Sequence, residues 1–360
     1  MRNKRIACFT DSLSSGGAQR QLVGLSCLLK KKGYDVDVIL YKEVPFYKNI
    51  LDKEHIKSIV VGDNLNLLKR LYSLYLYFRN NQYDVVIAYQ RIPTIISCIL
   101  NLIFKWRKLI VSERCTTQKI TKSDSLRFFL WRYAQCIVPN SYSQAEFIKN
   151  NVPHQYHKVA TITNFLDTEY FKPLEYKKTT DTIHILSVGR ISPQKNILNY
   201  LRAIKKVVDL GYHIKVDWYG NTDNIDYQLN CFSLLKELDL QNIVTFNGAD
   251  NEIIKQYQTA DVFCLPSLYE GYPNVLCEAM SCGLPVLCSD VCDNGLIAED
   301  GRNGFLFDPT NYIDIAEKII KYINSDAISK KQMGDRSRQI ALEKFSAEEF
   351  VRKYIDLINS

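Results

Sequence analysis

The 360-residue chain is predicted to fold as two doubly wound α/β domains facing a cleft. Three observations lead there. Short apolar runs alternate with segments in helical spacing along the whole chain, as buried strands alternate with helices. The alternation comes as two series, one in residues 1–166 and one in 181–345. Between them, residues 166–181, with Asp167, Pro173 and a Lys/Thr cluster, read as a linker. Each half is long enough for its own core. An apolar content of 46% against 24% charged residues excludes a disordered chain.

In the first series, residues 5–10 read as a strand and 11–17 as a polar loop, followed by a helix over 18–32 through Leu22, Leu25 and Leu29. Gly16 and Gly17 allow close approach of a ligand to a helix start, though the same pair also makes an ordinary turn. The loop fits neither G-x-G-x-x-G nor the P-loop pattern. Gly33 ends the helix and 34–41 is the next strand. Its Asp35-Val36-Asp37 imitates a D-x-D metal motif, but it lies inside an alternating strand and is rejected as a metal site. A helix over 65–78, strands at 85–88, 109–111 and 136–138, and an apolar helix over 94–106 follow. Asn140-Ser141 opens another helix, and 159–163 leads to Asn164-Phe165.

The second series begins with a strand at 183–188 and a loop holding Arg190 and Lys195 before a helix with Leu198, Leu201, Ile204 and Val208. Two cations near a helix start suit a pyrophosphate, although a solvated loop carries the same charges. Strands at 214–219, 244–248 and 262–265 continue the series, and helices over 312–324, 329–344 and 346–358 end it. Residues 267–290, SLYEGYPNVLCEAMSCGLPVLCSD, form its centre. Pro273 and Asn274 start a helix over 275–282, and Gly283 stands where a helix takes its C′ glycine. Glu270 on the loop and Glu278 in the helix either stabilise the helix dipole or accept hydrogen bonds from the paired hydroxyls of a sugar or ribose.

The string as a whole resembles the E-x7-E signature of retaining glycosyltransferases with the GT-B fold, glycosyltransferase family 4. The resemblance covers nearly the whole chain and is densest over residues 187–308. It implies that Glu270 and the backbone after it (Gly271, Tyr272, Asn274, Val275 and Leu276) hold the donor sugar, and that Glu278 holds the ribose. Arg190 and Lys195 match the family's diphosphate-binding pair, and Gly248 its base-contact loop. Ser15 to Gln19, including Gly17, resembles the S-G-G-A-E segment that closes over donor and acceptor; Gln19 stands where glutamate is common. Tyr89 stands where many members carry histidine. Ser112-Glu113-Arg114 is similar to the S-E-R of members that transfer N-acetylhexosamines. The family's last helix crosses back to the first domain, so residues 346–360 are assigned there.

The implied activity is retaining transfer of a hexose or N-acetylhexosamine from a nucleotide-diphosphate sugar, a UDP-sugar above all, to a glycan acceptor. Arg190, Lys195 and the helix N-terminus would carry the leaving charge, so no metal or other cofactor is expected. Glu270 is either a covalent nucleophile or a positioning group beside a phosphate that takes the acceptor proton itself. A non-catalytic nucleotide-sugar-binding scaffold is the alternative. The eleven scattered cysteines read as small buried residues of a reducing compartment.

The charge is unevenly placed. Residues 1–165 carry 25 Lys/Arg against 11 Asp/Glu, whereas 166–360 carry 21 against 28. Nucleic acid would suit the basic half, but no nucleic-acid module is visible. Residues 105–133 hold eight cations, among them Arg114, Lys119 and Arg127, interleaved with Trp106, Phe128, Phe129, Trp131 and Tyr133. Those rings are either core or, with the cations, an anionic-membrane surface. With neither signal peptide nor spanning segment in view, the expectation is a cytoplasmic enzyme, peripheral at the membrane. There it would extend a lipid-diphosphate-linked glycan in capsule or other surface-polysaccharide biosynthesis. Tyr89, Arg114, Lys119 and Arg127 are assigned to that acceptor and membrane side.

Overall fold

The computed structural model describes residues 4–114, 116–174, 182–250 and 252–360. The chain forms two compact units, one of the segment up to Phe165 with Ala347–Ser360, the other Leu166–Ser346.

The first unit opens with β1 (Arg5–Phe9), α1 (Gly17–Lys31), β2 (Asp35–Leu40), α2 (Lys48–Lys53) and β3 (Lys57–Val60). It continues with α3 (Leu67–Asn80), β4 (Val85–Tyr89), α4 (Arg91–Phe104), β5 (Lys108–Glu113), α5 (Lys122–Leu130), β6 (Cys136–Pro139) and α6 (Tyr142–Asn151). The sheet is parallel in the order β3-β2-β1-β4-β5-β6, so the strand order reverses between β1 and β4. β4 reads VVIAY and is buried at every residue, as a strand covered by helices on both faces must be. Asp37 on β2 is buried and accepts from Arg5 and Tyr83, which gives that carboxylate a structural task.

The second unit comprises β7 (Ile183–Val188), α7 (Ile197–Asp209), β8 (Ile214–Tyr219), α8 (Ile225–Glu237), β9 (Val244–Asn247), α9 (Ile254–Thr259) and β10 (Val262–Leu265). α10 (Asn274–Ser281), β11 (Val286–Ser289), α11 (Asn294–Ile297), β12 (Gly304–Phe307), α12 (Tyr312–Ile323) and α13 (Ala327–Lys344) complete it. Its sheet order, β12-β11-β10-β7-β8-β9, repeats the topology of the first sheet. The buried stripe of α7, which includes Ile197, Leu201, Ile204 and Val207, follows helical spacing. Gly283 has φ 75°, and Gly283 N and Leu284 N donate to Met280 O and Ala279 O, so the glycine closes α10 in a left-handed C-terminal turn.

α14 (Ala347–Asn359) belongs to the first unit. Phe350, Val351, Tyr354 and Ile358 form its buried stripe and join Leu22, Leu25 and Leu29 of α1 in one core. The expected linker is partly a structural element. Leu166 and Phe171 are buried in the core of the second unit, and Leu166 N donates to Phe345 O. The Lys/Thr cluster at 177–180 lies outside the described residues.

Candidate active site

Two loops at the carboxyl ends of β7 and β10 carry the site in the second unit. They are laced together. Leu268 N donates to Gln194 O at 2.8 Å, and Gln194 Nε2 donates to Tyr269 O at 2.9 Å. Asn196, at φ 57° in the left-handed region, donates from Nδ2 to Pro266 O and Pro309 O and so ties in the loop after β12. Within this frame Lys195 Nζ meets Glu270 Oε1 at 2.5 Å, the two side chains being 12% and 9% exposed. Gly189 makes the pairing possible: a Cβ there would lie 2.9 Å from Lys195 Cε. Gly189 is fixed in turn by Gly220, whose own Cβ would stand 2.1 Å from Gly189 O, and by Trp218 Nε1, which donates to the same oxygen.

The other expected donor residues fall at different depths. Gly271, Asn274 and Val275 are half-buried, and α10 begins at Asn274 with Pro273 as an N-cap that offers no side-chain acceptor. α10 starts directly after the loop carrying Glu270, so the positive end of its dipole lies at that loop. Leu276 is a correction. Its side chain is fully buried in the core and its N–H donates to Pro273 O, which withdraws it from ligand contact. The Tyr272 side chain is likewise core, packed edge-on to Phe345, so only its backbone faces the site. Glu278 is buried and accepts from Tyr257 Oη at 2.9 Å.

Arg190 does not converge on the Lys195–Glu270 pair. Its side chain is 63% exposed, and its guanidinium pairs with Asp223 at 2.5 Å. This pair lies beside a cavity of about 340 Å³ at the ends of β8 and β9, lined by Ile191, Gly220, Thr222, Phe246 and Gly248 among others. Asn247 Nδ2, on the same cavity's wall, is buried without a hydrogen-bond partner. Gln194, Asn196 and Asp223 were not singled out by sequence. For Gln194 and Asn196 the signal available was their position on either side of Lys195; Asp223, 33 positions from Arg190, offered none.

In the first unit, exposed Gly17 begins α1, and Gln19 folds back, with Nε2 donating to Asp11 Oδ1 at 3.2 Å. Gln90 follows β4 at φ 73°. With its amide oriented to satisfy its neighbours, it donates to Asp11 Oδ1 and accepts from Gln19. Asp11, Gln19 and Gln90 thus meet where the strand order reverses, the usual ligand position in such sheets, and sequence reading missed two of the three.

The acceptor-side residues need correction. Tyr89 is fully buried, and Arg114 is 9% exposed. Arg114 donates to the Tyr89 and Tyr354 hydroxyls and to Asn164 Oδ1, with its guanidinium 4.4 Å from the Tyr89 ring. Burial pushes the Tyr89 hydroxyl well above its ordinary pKa, so it stays a neutral partner for the cation. Arg127 is buried between Glu113, 2.5 Å away, and Asp124, 3.2 Å away. Burial penalises the Asp124 carboxylate, but hydrogen bonds from Thr121 and the cations Arg127 and Arg91 hold its pKa below the usual range. Trp106, Phe128 and Trp131 are core residues. Among the four, Lys119 alone is on the surface, because the other three serve the packing of β5 and its neighbours.

Two adjacent family models match most of the chain: Glycosyltransferase Family 4 over residues 15–170 and Glycosyl transferases group 1 over 171–340. HepE of Anabaena, solved with UDP-glucose, superposes with a TM-score of 0.86 at 19% identity over 99% of this chain and 100% of its own. Twin parallel sheets, each in the Rossmann order, together with this superposition, give the GT-B fold. The chain belongs to glycosyltransferase family 4. Its relatives include an N-acetylgalactosamine-N,N'-diacetylbacillosaminyl-diphospho-undecaprenol 4-alpha-N-acetylgalactosaminyltransferase of Campylobacter jejuni, 25% identical over 98% of this chain and 99% of that protein. A UDP-Gal:alpha-D-GlcNAc-diphosphoundecaprenol alpha-1,3-galactosyltransferase of Escherichia coli is 23% identical over 87% of this chain and 86% of its own length.

Proposed function

We propose that the protein is a retaining glycosyltransferase that moves a hexose or N-acetylhexosamine from a UDP-sugar to a lipid-diphosphate-linked glycan in surface-polysaccharide assembly. The observation that carries this reading is the Lys195–Glu270 pair, held by crossed loop contacts beside the start of α10. Relatives named for diphospho-undecaprenol acceptors support the acceptor class, and neighbours solved with UDP support the nucleotide.

Breaking the anomeric C–O bond leaves negative charge on a phosphate oxygen while the sugar becomes oxocarbenium-like. Lys195 uses one N–H on Glu270, and its other two point donors at that oxygen. The N-terminus of α10 adds its dipole there. Glu270 keeps Oε2 for a sugar hydroxyl. With its other oxygen committed to Lys195, its role is to position the sugar, and the leaving phosphate takes the acceptor proton on the same face. Arg190 reaches the diphosphate by leaving Asp223, an exposed pair whose opening costs little. The cavity at Gly248 takes the base, with Asn247 Nδ2 as a donor for a ring carbonyl.

With cations filling the role a divalent ion plays elsewhere, transfer proceeds without metal, and a chelator leaves the rate unchanged. Turnover abolished by chelator and restored by Mn²⁺ would contradict that. Among the described residues no helix is long and apolar enough to cross a membrane. Peripheral docking at the membrane's cytoplasmic face then rests on the surface cations Lys105, Arg107, Lys119, Lys122 and Arg132, since Glu113 and Asp124, the acids of that stretch, are buried. Release of UDP from a panel of UDP- and GDP-sugars, with and without lipid-linked acceptor, tests the reading.

A further inference from the structure

The first unit holds a second cavity, of about 590 Å³, between α5 and the 3-10 segment Pro153–Lys158 that follows α6. Its walls bring together Arg132, His154, His157 and Lys158, and none of its lining residues is Asp or Glu. Two of the four, the cations Arg132 and Lys158, are already placed. Arg132 Nε donates to Phe129 O at 3.1 Å, with the guanidinium 3.7 Å from the Phe129 ring. Lys158 Nζ donates to Arg132 O at 2.7 Å and to Ala134 O at 2.9 Å. A guanidinium has five N–H donors and an ammonium three, so both keep donors for an anion. A concave wall of one sign of charge concentrates the opposite sign, and three or four converging donors match phosphate.

The rim points to the kind of phosphate. Ile120 and Phe129 line the cavity and are 41% and 49% exposed, and Leu126 on α5 is 55% exposed. Large apolar side chains standing in water beside cations are what a bilayer interface takes up. Deeper in, Gln155 is 6% exposed, its Nε2 donates to Phe128 O, and its Oε1 has no hydrogen-bond partner. That acceptor suits a hydroxyl. We propose that this cavity binds the headgroup of an anionic phospholipid, with phosphate on Arg132 and Lys158, headgroup hydroxyl toward Gln155, and acyl chains along Ile120 and Phe129. The inference rests on the membrane-face reading above and gives it one defined lipid site in addition to diffuse charge.

The test is co-sedimentation of the full chain with phosphatidylcholine vesicles and with vesicles containing about one-third phosphatidylglycerol. The unaltered protein partitions onto the second kind only. Arg132→Gln weakens that partition at least about twentyfold, whereas Lys122→Gln, at the start of α5 and outside the cavity, costs only the roughly fivefold of one diffuse surface charge. His157→Gln repeats the test at an exposed position, in case the Arg132 change disturbs folding. Equal losses for the Arg132 and Lys122 variants would overturn the cavity and leave diffuse docking standing; no binding by the unaltered protein would overturn both. Inorganic phosphate at matched ionic strength leaves the bound fraction unchanged. Release by it would assign the cavity to free phosphate and overturn the lipid site.

Discussion

Lys195 and Glu270 are 75 positions apart in sequence, yet they form a 2.5 Å ion pair that water barely reaches. Removing one partner of such a pair strands the other, at about 3 kcal/mol. Lys195→Ala therefore lowers thermal stability as well as turnover. The double variant Lys195→Ala/Glu270→Gln regains most of the stability but none of the turnover. Unfolding curves and UDP release measured on both variants separate the two effects. Recovery of turnover in the double variant would mean that Lys195 acts only by neutralising Glu270.

Tyr354, from the last helix, shares Arg114 with Tyr89, and the two tyrosine hydroxyls are 2.7 Å apart. Tyr354→Phe removes an acceptor from a buried guanidinium and should cost about 2 kcal/mol. Denaturant unfolding measures it. A loss no larger than that of a surface Tyr→Phe control would show that the guanidinium finds another acceptor.

Glu299 pairs through both oxygens with Arg336, at 2.6 and 2.9 Å, and these hydrogen bonds hold its pKa below the ordinary value. A carboxyl depressed in the folded state contributes stability that is complete above its unfolded pKa and is lost as pH falls through the folded one. Glu299→Gln should thus destabilise the protein at neutral pH and have progressively less effect below about pH 4. Thermal midpoints across that range check the sign. A constant difference at all pH values would contradict it.

Most of the architecture was readable because its signals are local. Buried parallel strands such as Val85–Tyr89 are unbroken apolar runs, and Gly283 marks the end of α10 where a left-handed residue is required. Edge strand β3, half-exposed and only four residues long, carries no such pattern and was missed. At the site, Lys195 and Glu270 were named from motif spacing. The partners that hold them were not, since Gln194–Tyr269 and Asn196–Pro309 are contacts between loops far apart in sequence. The same limit misplaced Arg114 and Arg127 and left Trp131 open between core and surface. Cations interleaved with aromatics read alike on a surface and in a core, and only buried carboxylates and hydroxyls such as Glu113 and Tyr354 distinguish them.

The central claim is that the loop pair at Lys195 and Glu270 activates a nucleotide sugar, and donor turnover tests it most directly. UDP release from a panel of UDP- and GDP-sugars, followed for the unaltered protein and for Lys195→Ala under conditions where both are folded, should show one or a few UDP-sugars consumed. The variant should be slower by at least about a hundredfold, as loss of a transition-state charge partner requires. Turnover in the variant equal to that of the unaltered protein, or no sugar nucleotide consumed with or without acceptor, would contradict the account.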